Sequence, residues 1–217
     1  MPGYAGKVAP VTEGDQAPQE TKGERTRAAL LEAARERFAR DGYRATSVAD
    51  VSRDAGVGPT TAYVYFANKE ALFFAAVDDD LTSLFDELGL ALITLGPDDE
   101  LADRLLDVVL AIVEEHPLAR RLLAGLEPEV TARVLDADAF ADLRAAVAAL
   151  LRQGQSDGRI RPDLPAGELA DGMVAIVVAA AMVSVQVGPT VQETFGPGFA
   201  TVIRGVLTVD PRLSDES

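Results

Sequence analysis

Apolar positions recur with helical spacing along nearly the whole chain, and nowhere does a period of two persist long enough for a strand. Between Thr21 and Asp41, Leu30, Leu31, Ala34 and Phe38 form one inward stripe. Arg25, Arg27, Arg35 and Arg37 lie among the polar positions, and Gly42 is expected to stop the helix. Thr46 or Ser47 opens a second, short helix, since a hydroxyl suits its orphan amides and Asp50 meets its positive end. Val48, Val51 and Ala55 make its apolar face, and Gly56 ends it where left-handed backbone costs least. Gly58-Pro59 restarts the chain into a third helix reaching Phe66, because proline at the first helical position sacrifices no bond and pre-sets φ. Asn68 caps a fourth, in which Leu72, Phe73, Val77, Leu81 and Leu84 keep helical spacing towards Leu88. Within it, Asp78-Asp79-Asp80 reads as a solvated face.

Further on, Gly96-Pro97 marks a break, and Asp98 can cap a helix with Leu101, Leu105, Val108, Val109 and Ile112 on its apolar face, ending near His116-Pro117. A short helix from Leu118 to Leu126 follows, then a longer one from Glu129 to Gly154 with a break expected near residues 135–137. After a Gly-, Asp- and Pro-rich loop to Pro165, residues Ala166 to Val187 carry small or apolar side chains on nearly every face, and Gly188-Pro189 ends them. A last helix is expected to start or be interrupted at Gly196-Pro197-Gly198 and to continue through Phe199, Val202 and Ile203. The reading is an all-α fold of about nine helices. Residues 1–20 form a disordered tail, 21–67 a three-helix unit, and 68–217 a larger helical unit joined to it through helix four.

Composition narrows the function. A chain of 217 residues, 48% hydrophobic, can bury a substantial core. The absence of cysteine excludes a disulfide framework and thiolate metal sites, and suits a reducing cytoplasm. Residues 1–20 hold no apolar run of the kind a secretory leader needs. Met173 to Val187, interrupted by Ser184 and Gln186, is too short to span a bilayer, so no membrane association is expected. His116 is the single histidine, with no evident triad, and neither a dinucleotide-binding glycine fingerprint nor a P-loop occurs. No catalytic, metal or cofactor site is expected, and His116 reads as a surface or helix-end residue.

A net charge of −15 argues against nucleic acid until it is mapped. Residues 1–20 hold one base against three acids, residues 21–70 nine against seven, and the remainder ten against twenty-five. The acid is segregated into the C-terminal part, where it can be held away from a phosphate backbone.

Short helix, glycine turn, short helix is the spacing of a helix-turn-helix. Its flanks make the signal specific: RAALLEAARERFARDGYRATSV upstream and AYVYFANKEALFFAAV downstream. Gly42-Tyr43 before a Thr-Ser cap, the AGV turn, the aromatic-rich third helix and the Asn68-Lys69-Glu70-x-Leu72 segment together resemble the DNA-binding part of TetR-family transcription regulators, over about fifty residues. The resemblance implies contacts to double-stranded operator DNA from Thr46, Gly58, Pro59, Thr60, Thr61, Tyr63, Val64, Tyr65 and Lys69. Thr61 can offer a hydroxyl and a methyl to base edges, and Val64 only an apolar surface for a thymine methyl. Tyr63 and Tyr65 suit phosphate oxygens, while Ala62 and Phe66 are expected to point inward. Family members often carry Lys or Arg just after the turn, where this chain has Pro59. Thymine-methyl and shape readout are therefore expected, with Arg25, Arg27, Arg44 and Arg53 as auxiliary phosphate contacts.

The resemblance further implies a homodimer through the last two helices, which the apolar Ala166–Val187 run suits. It also implies a small, apolar ligand held among Leu105, Val109, Ile112, Phe140, Leu143 and Val147, with polar edges from His116 or Arg144. The implied function is a sequence-specific regulator, a repressor released from a palindromic operator by its ligand. The alternative is a helical, dimeric interaction protein in which DNA binding is lost or weakened, a possibility that Pro59 keeps open.

Overall fold

A computed structural model describes residues 21–95, 101–135 and 138–207. The expected tail over 1–20 and the break and cap at Gly96, Pro97 and Asp98 lie outside the described residues. Within them the chain forms ten helices and no strand: α1 (Lys22–Ala45), α2 (Val48–Asp54), α3 (Pro59–Tyr65), α4 (Lys69–Leu95), α5 (Leu101–Glu115), α6 (Pro117–Leu123), α7 (Pro128–Val134), α8 (Asp138–Ser156), α9 (Ala166–Val187) and α10 (Thr190–Leu207). The expected all-α fold is therefore found. Its tenth helix arises where the long run from Glu129 divides into α7 and α8, at the expected break.

Local chemistry explains the early boundaries. Thr21 caps α1 in a reciprocal box with Glu24, and Ser47 caps α2 in a second box with Asp50. Gly56 leaves α2 with φ of 68°, and Asn68 Oδ1 accepts the Ala71 amide at 2.8 Å to open α4. Gly42 breaks the helical backbone of α1 where expected. It kinks the helix at φ 84°, and one further turn runs to Ala45. α4 also continues past Leu88 to Leu95, giving a 27-residue helix about 40 Å long at ~1.5 Å per residue.

α1 to α3 close over the first turns of α4. Leu30, Phe38, Val51, Ala62, Leu72, Phe73 and Val77 are sealed from solvent, with the Phe38 and Phe73 rings edge-on at 5.0 Å. The same apolar core continues along α4 to Val113 on α5, Leu118 on α6 and Ile203 on α10. A smaller cluster joins Ala148 and Leu151 of α8 to Leu169 and Ala170 of α9.

Several expectations for the larger part change. The acidic run on α4 is not a solvated face. Asp80 is buried and accepts the Ala119 amide at 2.9 Å, Asp78 accepts the Ala139 amide at 3.1 Å, and Asp79 lies 3.4 Å from Arg35. Each carboxylate ties α4 to a different helix, and sequence patterning carries no record of such distant partners. His116 stands at the start of α6, as a helix-end residue, but it is buried rather than on the surface, with Nδ1 3.3 Å from Asp80 Oδ1.

The last helix begins at Thr190 and runs through Gly196-Pro197-Gly198 without interruption. Packing against α5 and α9 overrides the local preference, reinforced by Gln192 donating to Asp107 and Arg204 to Asp103, each at 2.6 Å. Finally, α9 is 22 residues long and contains an 18-residue window with a mean hydropathy of 1.9, long and apolar enough to cross a membrane by length and composition. The run from Met173 to Val187, read from the sequence as too short to span, is the C-terminal part of this longer helix. A single such helix is weak ground for a membrane protein, and α9 packs against α5, α6, α8 and α10.

Candidate nucleic-acid interface

α3 is built to show one face and hide the other. Gly58 precedes it without a side-chain cap, Pro59 occupies its first position, and the Thr61 amide bonds the Gly58 carbonyl at 2.9 Å. Ala62 and Phe66 are buried against α1, α2 and α4, as the sequence led one to expect. On the outer side Gly58, Pro59, Thr60 and Thr61 are exposed, Tyr63 is 54% accessible and Val64 78%. Two large apolar side chains left open on so small a helix mark a surface with a partner. Tyr65 is half-buried, and its hydroxyl sits beside Gly23 at the start of α1. This brings the exposed Lys22, Arg25 and Arg27 near the end of α3, with the Arg27 guanidinium 5.6 Å from the Phe66 ring centre. Lys22 was missed by sequence reasoning, because nothing local connects it with α3.

Two residues expected to touch DNA are placed otherwise. Thr46 is buried and its hydroxyl donates to the Gly42 carbonyl at 2.9 Å, so the exposed cap of α2 is Ser47. Lys69 is half-buried: its ammonium donates to the Tyr43 carbonyl at 2.9 Å and lies 4.4 Å from the Tyr43 ring centre. A flexible cation beside two carbonyls and a ring finds them before it reaches a phosphate. Lys69 thereby pins the end of α1 to the first turn of α4.

The arginines of this region are partly committed to internal pairs. Arg37 bridges Asp41 at 2.9 Å on α1 and Asp54 at 2.7 Å on α2, and Arg53 pairs with Asp50. Hydrogen bonds from Arg40 and Arg37 hold the Asp41 carboxyl below its ordinary value, and the Ser47 hydroxyl followed by Arg53 does the same for Asp50. What remains for a polyanion is a neutral-to-basic rim around an apolar and hydroxylic helix face.

The first model of known families that matches, over residues 30–76, describes bacterial regulatory proteins of the tetR family. A second, over residues 96–194, describes the C-terminal domain of SbtR-like transcriptional regulators. The chain belongs to the TetR family.

Relatives match over most of the chain. The HTH-type transcriptional regulator UidR of Escherichia coli (strain K12) is 22% identical over 192 residues, 87% of this chain and 96% of that protein. A TetR-family regulator from Cytophaga hutchinsonii superimposes with a TM-score of 0.66 at 18% identity, covering 88% of this chain and 98% of that one. FadR from Bacillus subtilis, solved in complex with stearoyl-CoA, does so with a TM-score of 0.60 at 14% identity, covering 81% and 96%. This TetR-family protein is a DNA-binding transcriptional regulator.

The residues expected to line a ligand site are spread over two clusters and a groove. Leu105, Val109 and Phe140 are buried in the main core, with Phe140 edge-on to Phe85 at 5.2 Å. Leu143 is half-buried, Val147 packs against the smaller α8–α9 cluster, and Arg144 lies 3.9 Å from Asp171 rather than at a pocket edge. Among the described residues, Ile112 borders an open groove of about 510 Å³ between α4 and α5, which Glu87, Leu90, Ala91, Thr94 and Val108 complete. Helical period identified the apolar residues of α5 and α8, but a wall and a core position share that period.

Proposed function

We propose that this regulator is a repressor that binds a palindromic operator as a homodimer and is released by a small, apolar ligand. The outer face of α3 carries the reading: Thr60, Thr61, Tyr63 and Val64 are exposed while Ala62 and Phe66 are buried. Set in a major groove, Thr61 and Val64 read base edges, chiefly thymine methyls, and Tyr63 bonds a phosphate. Gly58 and Pro59 let the backbone approach the duplex, and Tyr65 and Lys69 hold the helix in place. Lys22, Arg25 and Arg27 supply flanking phosphate contacts. In this division the head spans 21–67, and the body from 68 onward carries the ligand and the dimer surface.

α9 and α10 support the dimer. Ile176, Val183 and Val187 on α9 and Phe195 and Val202 on α10 are exposed, a face too apolar to be left in water. Pairing it with its counterpart gives a four-helix interface and sets two α3 helices about one turn of DNA apart, ~34–36 Å. The groove between α4 and α5 supports an apolar ligand, because its walls are aliphatic apart from Thr94 and Glu87. A ligand seated there leans on α4 and alters the spacing of the heads, and a coupling of ~1–3 kcal/mol is sufficient to regulate.

Selection of duplexes from a random pool by the purified protein, followed by gel shift on the selected sequence, tests the reading. Enrichment of a palindrome with half-sites one turn apart is expected, and absence of any preference at moderate salt rejects it. The lack of Lys and Arg on α3 favours a second reading, a dimeric interaction protein with weakened DNA binding, and the same gel shift separates the two.

A further inference from the structure

The head meets the body at a second place besides α4. Arg121, on the last turn of α6, donates from Nε to Glu127 Oε1 at 2.7 Å and from Nη1 to the Ala39 carbonyl of α1 at 3.2 Å. The same Glu127 oxygen accepts the Tyr43 amide at 3.1 Å, across 84 residues of sequence. Glu127 precedes α7 and is buried, its side chain only 9% accessible, with that of Arg121 at 21%. Between them lies Gly42, whose φ of 84° and whose missing Cβ, which would fall 2.5 Å from Arg121 Nη2 and 2.8 Å from Glu127 Oε1, leave no other residue acceptable. The kink at Gly42 frees the Tyr43 amide to point at the carboxylate, and the Tyr43 carbonyl in turn takes the Lys69 ammonium.

We infer that the Arg121–Glu127 pair is a positioning joint, independent of the long helix α4, that fixes the angle of the three-helix head on the body. The inference rests on the reading that the head binds DNA. A buried ion pair is a poor source of net stability, since desolvation offsets much of its attraction. Its hydrogen bonds are directional, however, and two of the groups they reach, the Ala39 carbonyl and the Tyr43 amide, lie at the end of α1 just ahead of α2. A purely apolar contact would tolerate sliding of the head, whereas a carboxylate holding one amide and one guanidinium does not. Any movement of α6 or of the turn from 124 to 127 is thus delivered to the entry of the helix-turn-helix.

The chain contains no cysteine, so Ala49→Cys on α2 and Ala146→Cys on α8, both at exposed positions, accept spin labels uniquely. Labelled chains diluted into unlabelled protein report the head-to-body distance within one subunit by pulsed electron resonance. Arg121→Met and Glu127→Gln are each expected to broaden that distance distribution and to weaken operator affinity about tenfold, a modest coupling. The double variant Arg121→Met/Glu127→Leu leaves no buried charge unpaired. It is expected to regain thermal stability while keeping the broad distribution and weak operator binding, which a purely structural role for the pair does not produce. A double variant whose distances match the parent's overturns the inference, as does one with broadened distances and undiminished operator affinity. A parent that prefers no duplex removes the regulator reading instead, and the distances alone then decide whether the joint holds the head.

Discussion

Thr46 and Ser47 stand side by side, and the fold gives them opposite duties. Thr46 turns inward to the Gly42 carbonyl, while Ser47 caps α2 at the surface. Ser47→Ala should therefore cost ~1 kcal/mol of stability, seen as a lower thermal midpoint. On α3, Thr61→Ala should relax preference at one base pair of the operator by ~1 kcal/mol, whereas Tyr63→Phe should weaken all duplexes alike. Parallel binding curves on operator and scrambled duplex check both. The exposed face of α3 was legible in the sequence because neighbours three and four residues apart define it. The duties of Asp80, His116, Glu127 and Lys69 were not, since each is set by a partner 26 or more residues away.

At the scale of elements, the head is tied by carboxylates. Asp41, Asp50 and Glu24 all titrate below their ordinary values, held there by Arg40 and Arg37, by Ser47 and Arg53, and by Thr21. A lowered folded-state value means stabilisation that is complete above the ordinary carboxylate range and lost as pH falls through the lowered values. The thermal midpoint should hold steady from pH ~7 to ~5 and drop below pH ~4, and Asp41→Asn should flatten that drop. α10 offers a different test, because Pro197 inside it provides no amide for the carbonyl one turn earlier. Pro197→Ala should raise stability by ~1–3 kcal/mol, measured by denaturant unfolding. Caps, glycine stops and the α7–α8 break were readable from local chemistry. The passage of α10 through Gly196-Pro197-Gly198 was not, because it depends on α5 and α9 lying alongside.

In the whole molecule, charge and apolar surface are divided by role. In the proposed complex the acidic body stays away from the duplex that the nearly balanced head approaches, so operator binding should weaken with salt only as steeply as a few phosphate contacts require. Val183→Glu places a charge in the middle of the open face of α9 and should yield monomers by sedimentation, with operator affinity falling together with the dimer. That open face has a consequence for supply. In the proposed dimer a subunit leaves the ribosome single, with Ile176, Val183 and Val187 wetted until it meets its twin, and in that interval chaperones and proteases have their best access. Steady-state abundance should then respond to gene dosage more than proportionally: scarce transcripts yield mostly degraded singletons, and only above a threshold rate of synthesis does a lasting pool accumulate.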